Sequence, residues 1–170
     1  MIITQGLRHR GEPAELVVLS DPFYVKRTLD FRNPEGDMPE VRQDFLRLIA
    51  LFDQKSLIPM CRNCNEPAKL LAFYKGTLFF EPWCGTCIPH WMITQECRFD
   101  TFCDYMSALE YVDDFCHGEK FFYRMVIRNI AKAKGLPDKI GPREAVDFFS
   151  PDAVQTPETT RDLMPCERSR

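Results

Sequence analysis

Two Cys-x-x-Cys pairs constrain the fold of this chain more than any other feature. They stand as Cys61-x2-Cys64-x19-Cys84-x2-Cys87, the second inside the stretch Glu81-Pro-Trp-Cys-Gly-Thr-Cys87. Zinc favours four tetrahedral thiolates, and each Cys-x-x-Cys turn presents two sulfurs from one knuckle. Between the pairs, apolar and aromatic runs flank Lys75-Gly76-Thr77, which reads as a hairpin with a short glycine-containing turn. Two knuckles at the open end of that hairpin bring four sulfurs to one point. Asn65 follows Cys64 and Gly85 lies inside the second pair, so each knuckle holds a residue that tolerates unusual backbone angles. The spacing predicts one structural Zn2+ on Cys61, Cys64, Cys84 and Cys87, and a zinc ribbon over residues 57–91.

The second pair also stands one residue away from the Trp-Cys-Gly-Pro-Cys site of thioredoxins. A redox dithiol of that type needs its cysteines at the start of a long helix, whose N-terminus lowers the first thiol's pKa. Here Pro89 follows Cys87 by two residues and biases Ile88 away from helical angles. A thiol-disulfide oxidoreductase also leaves Cys61 and Cys64 unexplained, and it stays as the third functional class. Four thiolates leave no open position for water, and the three histidines, His9, His90 and His117, build no His-x-Glu or His-Glu-x-x-His element. A nucleobase deaminase is excluded with them. His90 beside the second knuckle is an alternative ligand, but four cysteines suffice.

The remaining cysteines do not form a second centre. A helix spanning both Cys103 and Cys116 would separate them by about 20 Å along its axis. Cys116 falls on an apolar face and reads as a small buried hydrophobe, Cys97 stands apart, and Cys166 reads as a free thiol. Eight cysteines in a non-secreted chain are not a disulfide framework. The start "MIITQGLRHRGEP" lacks the basic-then-apolar order of a signal peptide, and no apolar run approaches a membrane span. A cytoplasmic location is expected.

At 170 residues the chain is long enough to bury a genuine core without covalent staples. The expected class is α+β. Residues 1–56 carry two short strands, "MIITQ" and "ELVVLS", around a basic turn, then a helix capped by Asp21-Pro22. A second helix runs from Glu40 to about Asp53, with Val41, Phe45, Leu48, Ile49 and Phe52 on one face. Residues 92–149 are expected to be helical and packed on the rest. There Thr101-x-x-Asp104 opens a helix with Phe102, Tyr105, Met106, Leu109, Val112 and Cys116 inward. Its partner in a helical hairpin runs from Glu119 to about Lys134, and Pro142 starts a last short helix. Residues 150–170 are polar and proline-spaced and read as a disordered tail.

The net charge of −3 exerts no overall pull on nucleic acid, but the charge is uneven. Residues 101–118 hold four acids and no base, and residues 119–143 hold seven bases and two acids. Lys120, Arg124, Arg128 and Lys132 repeat every four residues along one helix side. They form either a phosphate-tracking stripe or a wet helix face set against Glu110, Asp113 and Asp114. Arg8, His9, Arg10, Lys26 and Arg27 make a second cluster. Lys75 sits beside Phe73, Tyr74, Phe79 and Phe80, aromatics suited to stacking on bases or to a core.

Arg8-His9-Arg10-Gly11, followed by Asp21-Pro22, Tyr24, Val25 and Lys26, resembles the C-terminal module of the exodeoxyribonuclease X group. That module opens with a Gly-Lys-(Tyr/His)-Lys-Gly-like turn and continues with an Asp-Pro-x-Tyr-(Leu/Val)-(Arg/Lys)-Trp-Leu-Leu-like helix. Leu7 replaces the turn's first glycine and Arg27 the tryptophan. The resemblance covers residues 2–53 and carries over no nuclease centre, because that family's catalytic acids belong to a separate domain. It implies an accessory module in DNA metabolism. The reading is therefore a non-enzymatic zinc-ribbon protein that contacts nucleic acid, with no small-molecule substrate. The alternative is a protein-interaction module in which the zinc is purely structural.

Overall fold

Val18 sits in a helix, not in a strand. The computed structural model describes residues 2–3, 8–30, 39–88 and 99–150, and the expected tail beyond Ser150, His90, Cys97 and Cys166 lie outside them. The segment expected as a second N-terminal strand, "ELVVLS", is helix α1 (Ala14–Ser20). What remains of the strand pair is an isolated bridge between Ile2 and Pro13. A short β-branched run that is buried all round has no period to separate helix from strand, and the surroundings decide. Val17, Val18 and Leu19 are all buried inside the helical body.

Asp21 ends α1 and caps α2 (Pro22–Leu29), accepting from the Tyr24 N–H, with Pro22 in the first turn as expected. Helix α3 (Pro39–Gln54) buries Val41, Phe45, Leu48, Ile49 and Phe52, the five residues read from the spacing. Strands β1 (Leu70–Tyr74) and β2 (Phe80–Trp83) form the expected antiparallel hairpin. Its turn needs Gly76, which takes φ +74° with the Phe115 carbonyl oxygen 3.2 Å from where a Cβ would stand.

A third strand, β3 (Phe99–Phe102), was not expected. It pairs antiparallel with the free edge of β1, placing Phe102 opposite Leu71, in the sheet order β2-β1-β3. The following helix α4 (Tyr105–Phe115) is capped by Asp104, whose carboxylate accepts from Ser107 N–H at 2.9 Å. Thr101 therefore belongs to the sheet, and Phe102 reaches the core from a strand. Met106, expected to face inward, is exposed, whereas Ala108 and Tyr111 are buried. Helices α5 (Lys120–Ala133) and α6 (Pro142–Phe149) follow as expected. Among the described residues the fold is α+β, with six helices and one three-stranded antiparallel sheet.

The two faces of the sheet meet different surroundings. Leu71, Phe73 and Phe102 face the helices and join the main core, where the Phe73 and Phe102 rings stack with centroids 4.6 Å apart. Ala72, Trp83 and Phe99 face the other way and form a small separate apolar cluster with Cys61 and Cys84.

Candidate metal centre

The open end of the hairpin is where β1 starts and β2 ends, with Leu70 paired to Trp83. Cys61–Cys64 lies just before β1 and Cys84–Cys87 just after β2, so the pairing brings both turns together. Backbone bonds fix them. Cys61 N–H donates to Glu66 carbonyl at 2.7 Å, Arg62 N–H to Pro82 carbonyl at 3.0 Å, and Lys69 N–H to Trp83 carbonyl at 2.9 Å. Asn65 takes φ +59°, the left-handed turn its identity suggests, while Gly85 has no positive φ.

The four sulfurs lie within 4.8 Å of one another, with Cys64 and Cys84 at 3.6 Å. Four thiolates at about 2.3 Å from one tetrahedral ion stand about 3.8 Å apart, so the donor set fits such an ion. Among the described residues this is the one group of three or more histidine, cysteine or acidic side chains placed to share a metal. Cys103 precedes α4 instead of lying within it, and neither it nor Cys116 joins that group. Cys61 and Cys84 are buried, Cys87 is half-buried and Cys64 is exposed.

The backbone around the sulfurs favours negative charge. Burial works against the Cys61 thiolate, but backbone hydrogen bonds from Cys84, Asn63 and Cys64 outweigh it and bring the thiol down to about 6. A backbone hydrogen bond from Cys87 leads in lowering Cys84. Cys64 is helped by a bond from the Glu66 backbone, yet Cys87, burial, Cys84 and Cys61 together push it up to about 12. Four sulfurs so close share their protons, and a bound cation would replace them. Cys84–Cys87 forms a turn after β2, away from any helix start among the described residues.

One supporting pair was not read from the sequence. Glu81 stands on the same sheet face as Trp83 and is buried, and its carboxylate pairs with Arg62 from inside the first knuckle. The available signal was an acid two residues before Trp83, on the face of β2 that the tryptophan buries.

The expected basic residues are largely engaged within the fold. Arg8 pairs with Asp21 at 2.8 Å, and His9 contacts both Asp21 and Glu12 at 3.1 Å. Lys26 pairs with Asp113 and donates to Tyr123 hydroxyl at 3.0 Å. Lys132 pairs with Asp138, and Arg128 donates to Asp138 carbonyl. Lys75 lies over the Phe115 ring at 4.5 Å. Arg10 and Arg124 are exposed, and Arg27 has an interaction of its own. The two basic clusters nevertheless adjoin. Lys26 of α2 lies 5.2 Å over the Tyr123 ring of α5, Lys120 of α5 lies 4.8 Å over Phe23 of α2, and those rings are 5.6 Å apart.

No family model, curated protein or solved structure matches this chain. Among the described residues no helix is long and apolar enough to cross a membrane.

Proposed function

We propose that this protein is a non-enzymatic binding module in which Cys61, Cys64, Cys84 and Cys87 hold one Zn2+, and that it contacts nucleic acid as an accessory factor in DNA metabolism. The convergence of four sulfurs carries the metal reading. A closed thiolate set gives the ion no open position for water, so its role is to fix the hairpin. Zinc is preferred to other soft-site ions because an all-cysteine tetrahedron suits it without redox chemistry, while iron is the competitor for the same donors.

The α2–α5 seam supports the nucleic-acid reading. Lys26 and Lys120 lie where those two helices meet, Arg8 pairs with the Asp21 that caps α2, and the exposed Arg124 stands four residues after Lys120 on α5. Phosphate contacts by such cations make affinity fall steeply with salt. The test is binding of labelled single-stranded and duplex DNA across a salt series, with Lys120→Glu/Arg124→Glu beside the natural sequence. Salt-sensitive binding abolished by the reversal supports the seam. No retention at low salt contradicts it.

A protein-docking role is the second reading. It is supported by Ile58, Met60 and Phe79, all about half exposed, the first two leading into the first knuckle. It is distinguished by salt-tolerant capture of one partner, lost in Phe79→Ala or Ile58→Ala.

A further inference from the structure

We propose that the four-cysteine centre is a peroxide-sensitive switch that frees the outer sheet face while the helical body stays folded. The inference rests on the zinc reading and adds regulation to that site. Two observations carry it. The first is unequal access: Cys64 is exposed, whereas Cys84, whose sulfur stands 3.6 Å away, is buried. The second is the division of the core. Cys61 and Cys84 belong to a small cluster with Ala72, Trp83 and Phe99, with Cys87 packed against it, separate from the main core on the opposite face of the same strands.

The chemistry uses hydrogen peroxide as oxidant and the chain's own thiolates. The exposed Cys64 sulfur attacks the peroxide, the O–O bond breaks, and a sulfenic acid forms as hydroxide leaves. The Cys84 thiolate then attacks that sulfur, the S–S bond forms, and the S–O bond breaks with loss of a second hydroxide. The two thiolates together give up two electrons, and the peroxide accepts them. Cys61 and Cys87 remain, too few donors to close a tetrahedral site. The new bond joins the two knuckles, and the contacts of Trp83 beside Cys84 change. The main core contains none of the four sulfurs, so the helices keep their packing.

The experiment titrates reduced, zinc-loaded full-length protein with hydrogen peroxide. It follows released zinc with a chromogenic chelator, tryptophan fluorescence, far-ultraviolet circular dichroism, and disulfides by peptide mass spectrometry. The expected result is one zinc released per chain with a Cys64–Cys84 peptide, a changed tryptophan signal, retained helical dichroism, and recovery after reduction and zinc addition. A Cys103→Ser/Cys116→Ser variant is expected to behave identically. Zinc that stays bound while other cysteines oxidise overturns the switch alone, as does release accompanied by loss of the helical signal. Protein that carries no zinc at the start overturns the metal reading and the switch with it.

Discussion

The Tyr105 hydroxyl donates to the Val18 carbonyl oxygen across 2.7 Å, joining the start of α4 to α1. That carbonyl has no helical partner because the residue four places on is Pro22, which lacks an N–H. The proline that starts α2 thus creates a buried acceptor, and a tyrosine from the other half of the chain satisfies it.

Tyr105→Phe leaves the Val18 acceptor unpaired without changing the ring packing against Phe52. The expected cost is about 1–3 kcal/mol. Urea unfolding measures it, and an unchanged midpoint would show that the bond is replaced by water.

Alkali should act through the same group. Burial pushes Tyr105 well above its usual 10 and Tyr111 up to about 12. The unfolded chain's phenols ionise near 10, so their contribution to stability is whole below about pH 10. It is lost as pH climbs through the folded value, about 12 for Tyr111. Unfolding and phenolate absorbance are expected to rise together above pH 10, less steeply in Tyr105→Phe. The same slope in both proteins would contradict the assignment.

Lys134, buried at the end of α5, donates to the carbonyls of Phe52, Asp53 and Lys55 at 3.0, 3.4 and 2.9 Å. Its ammonium therefore caps the C-terminal end of α3. Lys134→Met keeps the volume and removes the donors, and about 2–3 kcal/mol of stability is expected to go with them. A neutral result in denaturant melts would place those carbonyls in contact with water.

Arg62 and Glu81 hold the first knuckle to β2. Arg62→Ala strands a buried carboxylate beside the sulfurs and is expected to weaken metal affinity about ten- to a hundredfold. Glu81→Gln, which strands no charge, is expected to cost less. Competition with a calibrated chelator reads both, and equal affinities across the three proteins would show that the pair does not act on the metal.

The sequence was legible where local periodicity and packing agree. Val41 to Phe52 recur at helical spacing, and Asp21-Pro22 caps a helix whatever surrounds it. The metal cluster was legible for a different reason: paired cysteines in short turns need only a hairpin between them to meet. Val17 and Val18 misled because β-branched residues favour strands, and only the body around α1 selects the helix. Phe99–Phe102 misled because its pairing with β1 is long-range, and Thr101 resembled a cap that Asp104 supplies. The acid partners Asp21, Asp113 and Asp138 could not be matched to their cations before the chain was folded. Among the described residues, only Lys132 of the α5 stripe is in an ion pair, with Asp138, while Lys120 lies over Phe23, Arg128 donates to the Asp138 carbonyl and Arg124 is exposed.

Elemental analysis of freshly purified, reduced protein, followed by thermal melts with and without a strong chelator, tests the central claim most directly. One equivalent of zinc per chain, and a melting point that drops when it is stripped, are the results the four-sulfur centre requires. Protein that holds neither zinc nor iron, with melts indifferent to the chelator, would contradict it.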